Sequence, residues 1–103
     1  MAYKLLITAS AEQDLDGVVA YIIRDLGNLP AAAKLLDEVK ERYANLEENP
    51  FLYEPCRDAR LKMSGYRKVV VGRYAMVYRV DQKRQVVYVE RFFSELQNYA
   101  DRL

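Results

Sequence analysis

The chain contains no histidine and only one cysteine, Cys56. Those two facts exclude most side-chain chemistry. Ser–His–Asp and Cys–His nucleophiles need an imidazole to take the proton, and the usual zinc sites need several Cys or His ligands. Any catalysis must therefore use Glu, Asp, Lys, Arg or Tyr. Cys56 has no histidine to activate it and no second cysteine to pair with, so it reads as a structural or surface thiol. Cations and tyrosines gather in one stretch, Gly65 to Phe93, which reads GYRKVVVGRYAMVYRVDQKRQVVYVERFF. Apolar and cationic residues alternate there at period two, which gives one sheet an apolar face and a basic face. A basic sheet face suits a polyanion or an acidic partner.

The net charge of +1 hides how unevenly charge is distributed. Residues 1–56 hold five Lys/Arg against ten Asp/Glu, whereas residues 57–91 hold ten against three. Such asymmetry points to a partner more strongly than the total does. The 103 residues suffice for one domain, expected to span residues 1–103, with a core that needs no staples. With one cysteine, no N-terminal signal pattern and no apolar run long enough for a bilayer, the chain is expected in the cytoplasm and off the membrane. No cofactor is implied.

The elements that must hold the basic stretch can be read in order. Tyr3 to Thr8 is a β-rich run. Ser10-Ala11-Glu12-Gln13 fits a capping box that opens a first helix. Leu15, Val18, Val19, Ile22, Ile23 and Leu26 follow at helical spacing, and Gly27-Asn28 supplies a left-handed stop. Pro30 suits the first position of a second helix, whose face of Ala32, Leu35, Leu36, Val39, Tyr43 and Leu46 runs to about Glu48. The short connection makes the two helices an antiparallel hairpin. Residues 50–65 form a loop with a turn of helix near Asp58–Lys62. Three strands follow, at about Tyr66–Val71, Tyr74–Val80 and Gln85–Phe92, with a tight turn at Gly72-Arg73. Ser94-Glu95-Leu96-Gln97 is a second capping box, opening a helix to about Arg102. The order is β-α-α-β-β-β-α, an α+β fold.

Alternation assigns Val69, Val71, Tyr74, Met76, Tyr78 and Val80 to the face that the helices cover. It leaves Lys68, Val70, Ala75, Val77 and Arg79 on the open face. The third strand is apolar on both sides and takes no orientation from the pattern.

With these parts in order, the chain resembles the RelE/ParE superfamily of bacterial type II toxins over nearly its whole length. The likeness is carried by S-A-E-Q-D-L, by L-E-E-N-P and above all by Y-R-K-V-V-V-G-R-Y-A-M-V-Y-R-V-D. It implies a small four-stranded antiparallel sheet packed on an N-terminal helical hairpin, and a cognate antitoxin as partner. RelE-like members cut messenger RNA at the ribosome, whereas ParE-like members inhibit DNA gyrase. RelE-like cleavage needs a base for the 2′-hydroxyl, cations for the phosphorane and an acid for the leaving oxygen, supplied by lysine, arginine and tyrosine.

Carried over by position, Lys68 and Tyr99 are catalytic candidates, and Arg79 joins them as a cation that alternation places on the open face from another position. Arg60, Lys62, Arg67, Arg73 and Arg91 are the candidate contacts to RNA or to antitoxin. Three positions that are cationic in the family hold Val70, Ala75 and, near the C-terminus, Glu95 or Leu96. Each cation missing from a transition-state phosphate removes on the order of 3 kcal/mol, about a hundredfold in rate. The readings left open are an endoribonuclease with an atypical site, a catalytically inactive binding module of the toxin fold, a ParE-like gyrase inhibitor and a general nucleic-acid binder.

Overall fold

The computed structural model describes residues 3–94. Strand β1 (Lys4–Ile7) leads directly into helix α1 (Ala9–Arg24), and the cap is Thr8. Its hydroxyl accepts from the Ala11 amide at 3.1 Å and donates to the Glu90 carbonyl at 2.9 Å. The expected cap at Ser10 is therefore displaced by two residues. Thr8 satisfies the helix end and ties it to the sheet with one side chain, whereas Ser10 is exposed. Gly27 takes φ +58°, as the stop signal requires. Asn28 then caps α2 (Leu29–Glu48), so Leu29 rather than Pro30 is the first helical residue.

Helix α3 (Ala59–Met63) is the helical turn expected near Asp58–Lys62, with Asp58 as its cap. Strands β2 (Tyr66–Val71), β3 (Tyr74–Asp81) and β4 (Val86–Ser94) follow within one or two residues of their expected bounds. Ser94, expected to open a second capping box, is the last residue of β4, whereas the rest of that box, the terminal helix and Tyr99 lie outside the described residues.

The α+β class and the element order are those expected, with one difference in the sheet. Its order is β1-β4-β3-β2, and β2, β3 and β4 are antiparallel neighbours. Strand β1 instead joins β4 in parallel, Lys4 opposite Val86 and Ile7 opposite Val89. The two hairpins fix the direction of β4, and the chain reaches β2 from β1 only after crossing one face as α1 and α2. That crossover frees β1 from the alternation that hairpins impose.

The helices bury Ala11, Ile22, Ala32, Leu35, Val39 and Leu46 against Val69, Val71, Met76, Tyr78, Val87, Val89 and Phe92. This is the face that alternation assigned to the core. Ile23, Leu26 and Leu36, expected there too, are 40%, 58% and 36% exposed. A hairpin of two helices on one sheet covers only its inner side, so the outer half of each stripe stays in solvent.

The opposite face is not open at its centre. The loop before α3 and α3 itself bring Cys56 and Leu61 over Val77 and Phe93, all at most 7% exposed. Ala75 and Val77, expected on an open face, are buried. The same loop covers the free edge of β2, where the Cys56 amide donates to the Tyr66 carbonyl and the Lys68 amide to the Glu54 carbonyl.

Candidate functional site

On the helix-free face, register determines which side chains meet. Lys68 of β2 lies opposite Val77 of β3, which lies opposite Arg91 of β4. The next row is Tyr66, Arg79 and Tyr88. Lys68 and Arg79 are thus diagonal neighbours on adjacent strands, about 7–8 Å apart by ordinary sheet geometry. The two candidates are brought together.

Between the rows the register shifts. Val77 pairs with Arg91 and Tyr78 with Val89, so Glu90 and Arg91 together oppose one step of β3. A β-bulge of this kind turns both residues to one face. It also reverses the alternation of β4: Val87 and Val89 face the helices before it, and Phe92 does so after it. The bulge explains why β4 took no orientation from its sequence.

The bulge delivers Glu90 to Arg79. The Arg79 Nε lies 3.8 Å from Glu90 Oε2, and its guanidinium sits 4.5 Å over the Tyr88 ring. The Tyr66 hydroxyl donates to the same Glu90 oxygen at 3.2 Å. Burial, reinforced by the Glu90 charge, pushes the Tyr66 phenol above its ordinary pKa, while Arg79 opposes the rise. A phenol held neutral in this way donates hydrogen bonds and is a poor general base.

Arg91 is held more tightly still. Its Nε and Nη2 donate to the two carboxylate oxygens of Asp14 on α1 at 2.6 and 3.1 Å. Its guanidinium also lies 5.2 Å from the centre of the Phe93 ring. Asp14 Oδ2 accepts from the Phe92 amide as well, so the carboxylate closes the edge of β4 where β1 has ended. The Asp14 hydrogen bonds raise the Arg91 pKa above its already high value.

The other candidates lie outside the Lys68 row. Arg67 shares a row with Tyr78 at the margin of the helix side. Its Nη1 donates to the Tyr53 carbonyl at 2.6 Å, and its guanidinium lies 5.0 Å over the Phe51 ring. Arg73 is exposed in the β2–β3 turn at the far end of the hairpin. Arg60 and Lys62 are exposed on α3, Arg60 with its Nε 3.5 Å from Asp58. The structure therefore brings Lys68 and Arg79 together, gives Arg79 and Arg91 carboxylate partners, places Lys62 and Arg67 with Arg79 around a pocket, and leaves Arg60 and Arg73 outside it.

Sequence reasoning missed Asp14, Tyr66, Tyr88 and Glu90. For Glu90 a signal existed, a Glu-Arg pair inside an otherwise apolar strand. For Asp14 there was none, because its partner is 77 residues away.

The ParE toxin of the type II toxin–antitoxin system parDE is the family whose model matches this chain, over residues 5–99. The chain belongs to that family. It is the toxin component of a type II toxin–antitoxin system. Among solved structures it is similar to the chromosomal ParDE system of Pseudomonas aeruginosa, with a TM-score of 0.70 at 18% identity. That match covers 90% of this chain and 96% of the other. It is also similar to the RelBE2 toxin–antitoxin complex of Mycobacterium tuberculosis, with a TM-score of 0.62 at 23% identity over 91% and 99% of the two chains. A free form of the Escherichia coli toxin RelE carrying two arginine-to-alanine substitutions gives 0.68 at 16% identity over 99% and 93%. At such identities the likeness is one of fold. No curated protein matches the sequence. Among the described residues of this ParE-family chain, no helix is long and apolar enough to cross a membrane.

Proposed function

We propose that this ParE-family toxin acts by binding DNA gyrase, not by cutting messenger RNA, and that a cognate antitoxin neutralises it. One observation carries the reading. Arg79 and Arg91, the two arginines on the helix-free face of β3 and β4, are each held by a carboxylate and stacked on a ring. Cleavage of RNA asks for several uncompensated cations converging on one phosphate. Glu90 and Asp14 cancel that charge, and a carboxylate beside a phosphate repels it. The centre of the face is filled by Val77, Phe93, Cys56 and Leu61, leaving a surface suited to contact and not to in-line chemistry.

The partner reading draws on the other side of the molecule. Tyr21, Ile23, Leu26 and Leu29 on the helical hairpin are 40–64% exposed, an apolar band that an amphipathic antitoxin segment would cover. Co-production of the neighbouring gene product should restore growth to a host that the toxin alone arrests.

Two assays separate the mechanisms. Purified toxin added to gyrase and supercoiled plasmid is expected to trap cleaved DNA, while primer extension on translated messenger RNA shows no new ends. Codon-specific cuts that vanish in Lys68→Ala or Arg79→Ala, with plasmid left intact, would instead establish an endoribonuclease. Neither cleaved plasmid nor cut RNA, with growth unaffected, would leave an inactive binding module.

A further inference from the structure

We infer that the pocket between α3 and the β3–β4 turn binds single-stranded nucleic acid, with phosphates held by cations from three elements and a base resting on Phe51 and Arg67. The inference goes beyond the gyrase reading and does not depend on it. The pocket measures about 420 Å³ and lies away from the Lys68 row, at the end of the sheet opposite the Gly72 turn.

Its walls are assembled by one close approach. Gly65 takes φ +85°, and a Cβ there would stand 3.1 Å from the Val80 carbonyl oxygen. The Val80 amide donates to the Gly65 carbonyl at 3.2 Å, stitching the end of α3 to the end of β3. That approach sets Lys62 on one wall and Lys83, from the β3–β4 turn, on another, with Arg67 and Arg79 between them.

The pocket's charge is not balanced internally. Arg79 is paired with Glu90, and Asp81, the only acid lining the pocket among the described residues, is 3.9 Å from Arg84 and accepts from the Arg84 amide. Lys62, Arg67 and Lys83 have no carboxylate partner among the described residues. Arg67 gives one hydrogen bond to the neutral Tyr53 carbonyl, which leaves its charge intact. Three cations around a concave site attract successive phosphates of a strand.

The second component favours nucleic acid over an acidic peptide. Phe51 is 39% exposed at the rim, with the Arg67 guanidinium 5.0 Å over its ring. A planar ring and guanidinium beside a cationic groove is the combination that holds single strands without reading their sequence, because every base has a face to stack. An acidic peptide has no use for such a platform.

The test is fluorescence anisotropy of the full chain with labelled 15-nucleotide oligo-dT and oligo-U across a salt series. Lys62→Glu with Lys83→Glu, both at exposed positions, is expected to weaken binding at least tenfold. It should also make the plot of log affinity against log salt shallower by about 1.4, roughly 0.7 for each phosphate no longer neutralised. Phe51→Ala should weaken binding several-fold with an unchanged slope, the mark of missing stacking. Tighter binding of one oligonucleotide names DNA or RNA as the ligand, and both outcomes support the site. Should the charge-reversed pair unfold, Lys62→Gln with Lys83→Gln gives the same sign with a smaller effect. The inference is overturned if the lysine variants bind as the parent does, or if Arg73→Glu at the far end of the hairpin weakens binding equally. Equal affinity for a 15-residue polyglutamate would overturn it too.

Discussion

Arg79 and Arg91 show how far a side chain's neighbours decide what its charge can do. Both are strand residues on the helix-free face, yet Arg91 makes a two-pronged contact with Asp14 while Arg79 shares Glu90 with the Tyr66 hydroxyl. The Asp14 contact is the stronger, because its carboxylate also takes the Phe92 amide on an edge that no strand covers. Asp14→Ala takes the carboxylate from a half-buried guanidinium and the acceptor from a strand amide together. The expected loss is about 2–3 kcal/mol, below the range for a fully buried pair because both side chains keep some contact with solvent. Urea denaturation measures it. Asp14→Asn, which keeps an acceptor for Phe92, should recover part of the loss, and equal losses in the two variants would refute the amide's share.

Among the elements, α3 changes the character of the sheet most and was the least legible in its consequences. Its position was readable from Asp58 and the short run after it, but its role was not. Alternation identified the faces of β2 and β3 correctly, since Val69, Val71, Met76 and Tyr78 lie under the helices. It could not show that Cys56 and Leu61 would close over Val77, because that contact joins a loop residue to a strand 21 positions on. Strand β4 was illegible for a different reason. A one-residue bulge leaves no mark in hydropathy when both of its flanks are apolar. The parallel pairing of β1 was hidden in the same way, since direction in a sheet is not written in a strand's own residues. Gly65 fixes where α3 ends against β3, and that role is open to test. Gly65→Ala forces a side chain into a left-handed backbone and against the Val80 carbonyl, costing about 1–2 kcal/mol. Thermal melts measure the loss, and an unchanged melting temperature would mean that α3 can settle elsewhere.

At the scale of the whole molecule, the missing histidine and the abundance of tyrosine set the response to pH. No side chain of histidine's kind titrates between pH 5 and 8, so stability should change little there. The alkaline side is different. Burial, with a smaller push from the Glu12 charge, raises the Tyr43 pKa to about 12, and burial drives Tyr78 higher still. Each folded-state value lies above the unfolded value near 10, so the folded chain holds protons that the unfolded chain releases. Their contribution is full below about pH 10 and is lost as pH rises toward the folded values. Alkaline unfolding should therefore begin above about pH 10, with part of the tyrosine absorbance change near 295 nm coinciding with loss of the far-ultraviolet dichroism. Two substitutions separate titration from packing. Tyr43→Phe removes the titrating group, and no hydrogen bond of its hydroxyl is lost among the described residues. The alkaline midpoint should move up by on the order of half a pH unit with neutral-pH stability nearly unchanged. Tyr78→Phe removes the same kind of group but takes the hydrogen-bond donor from the Pro50 carbonyl, 3.0 Å away in the interior. It should lower stability at every pH, by about 1–2 kcal/mol at neutrality. If Tyr43→Phe leaves the alkaline midpoint where it was, ionisation of the Tyr43 phenol does not control unfolding.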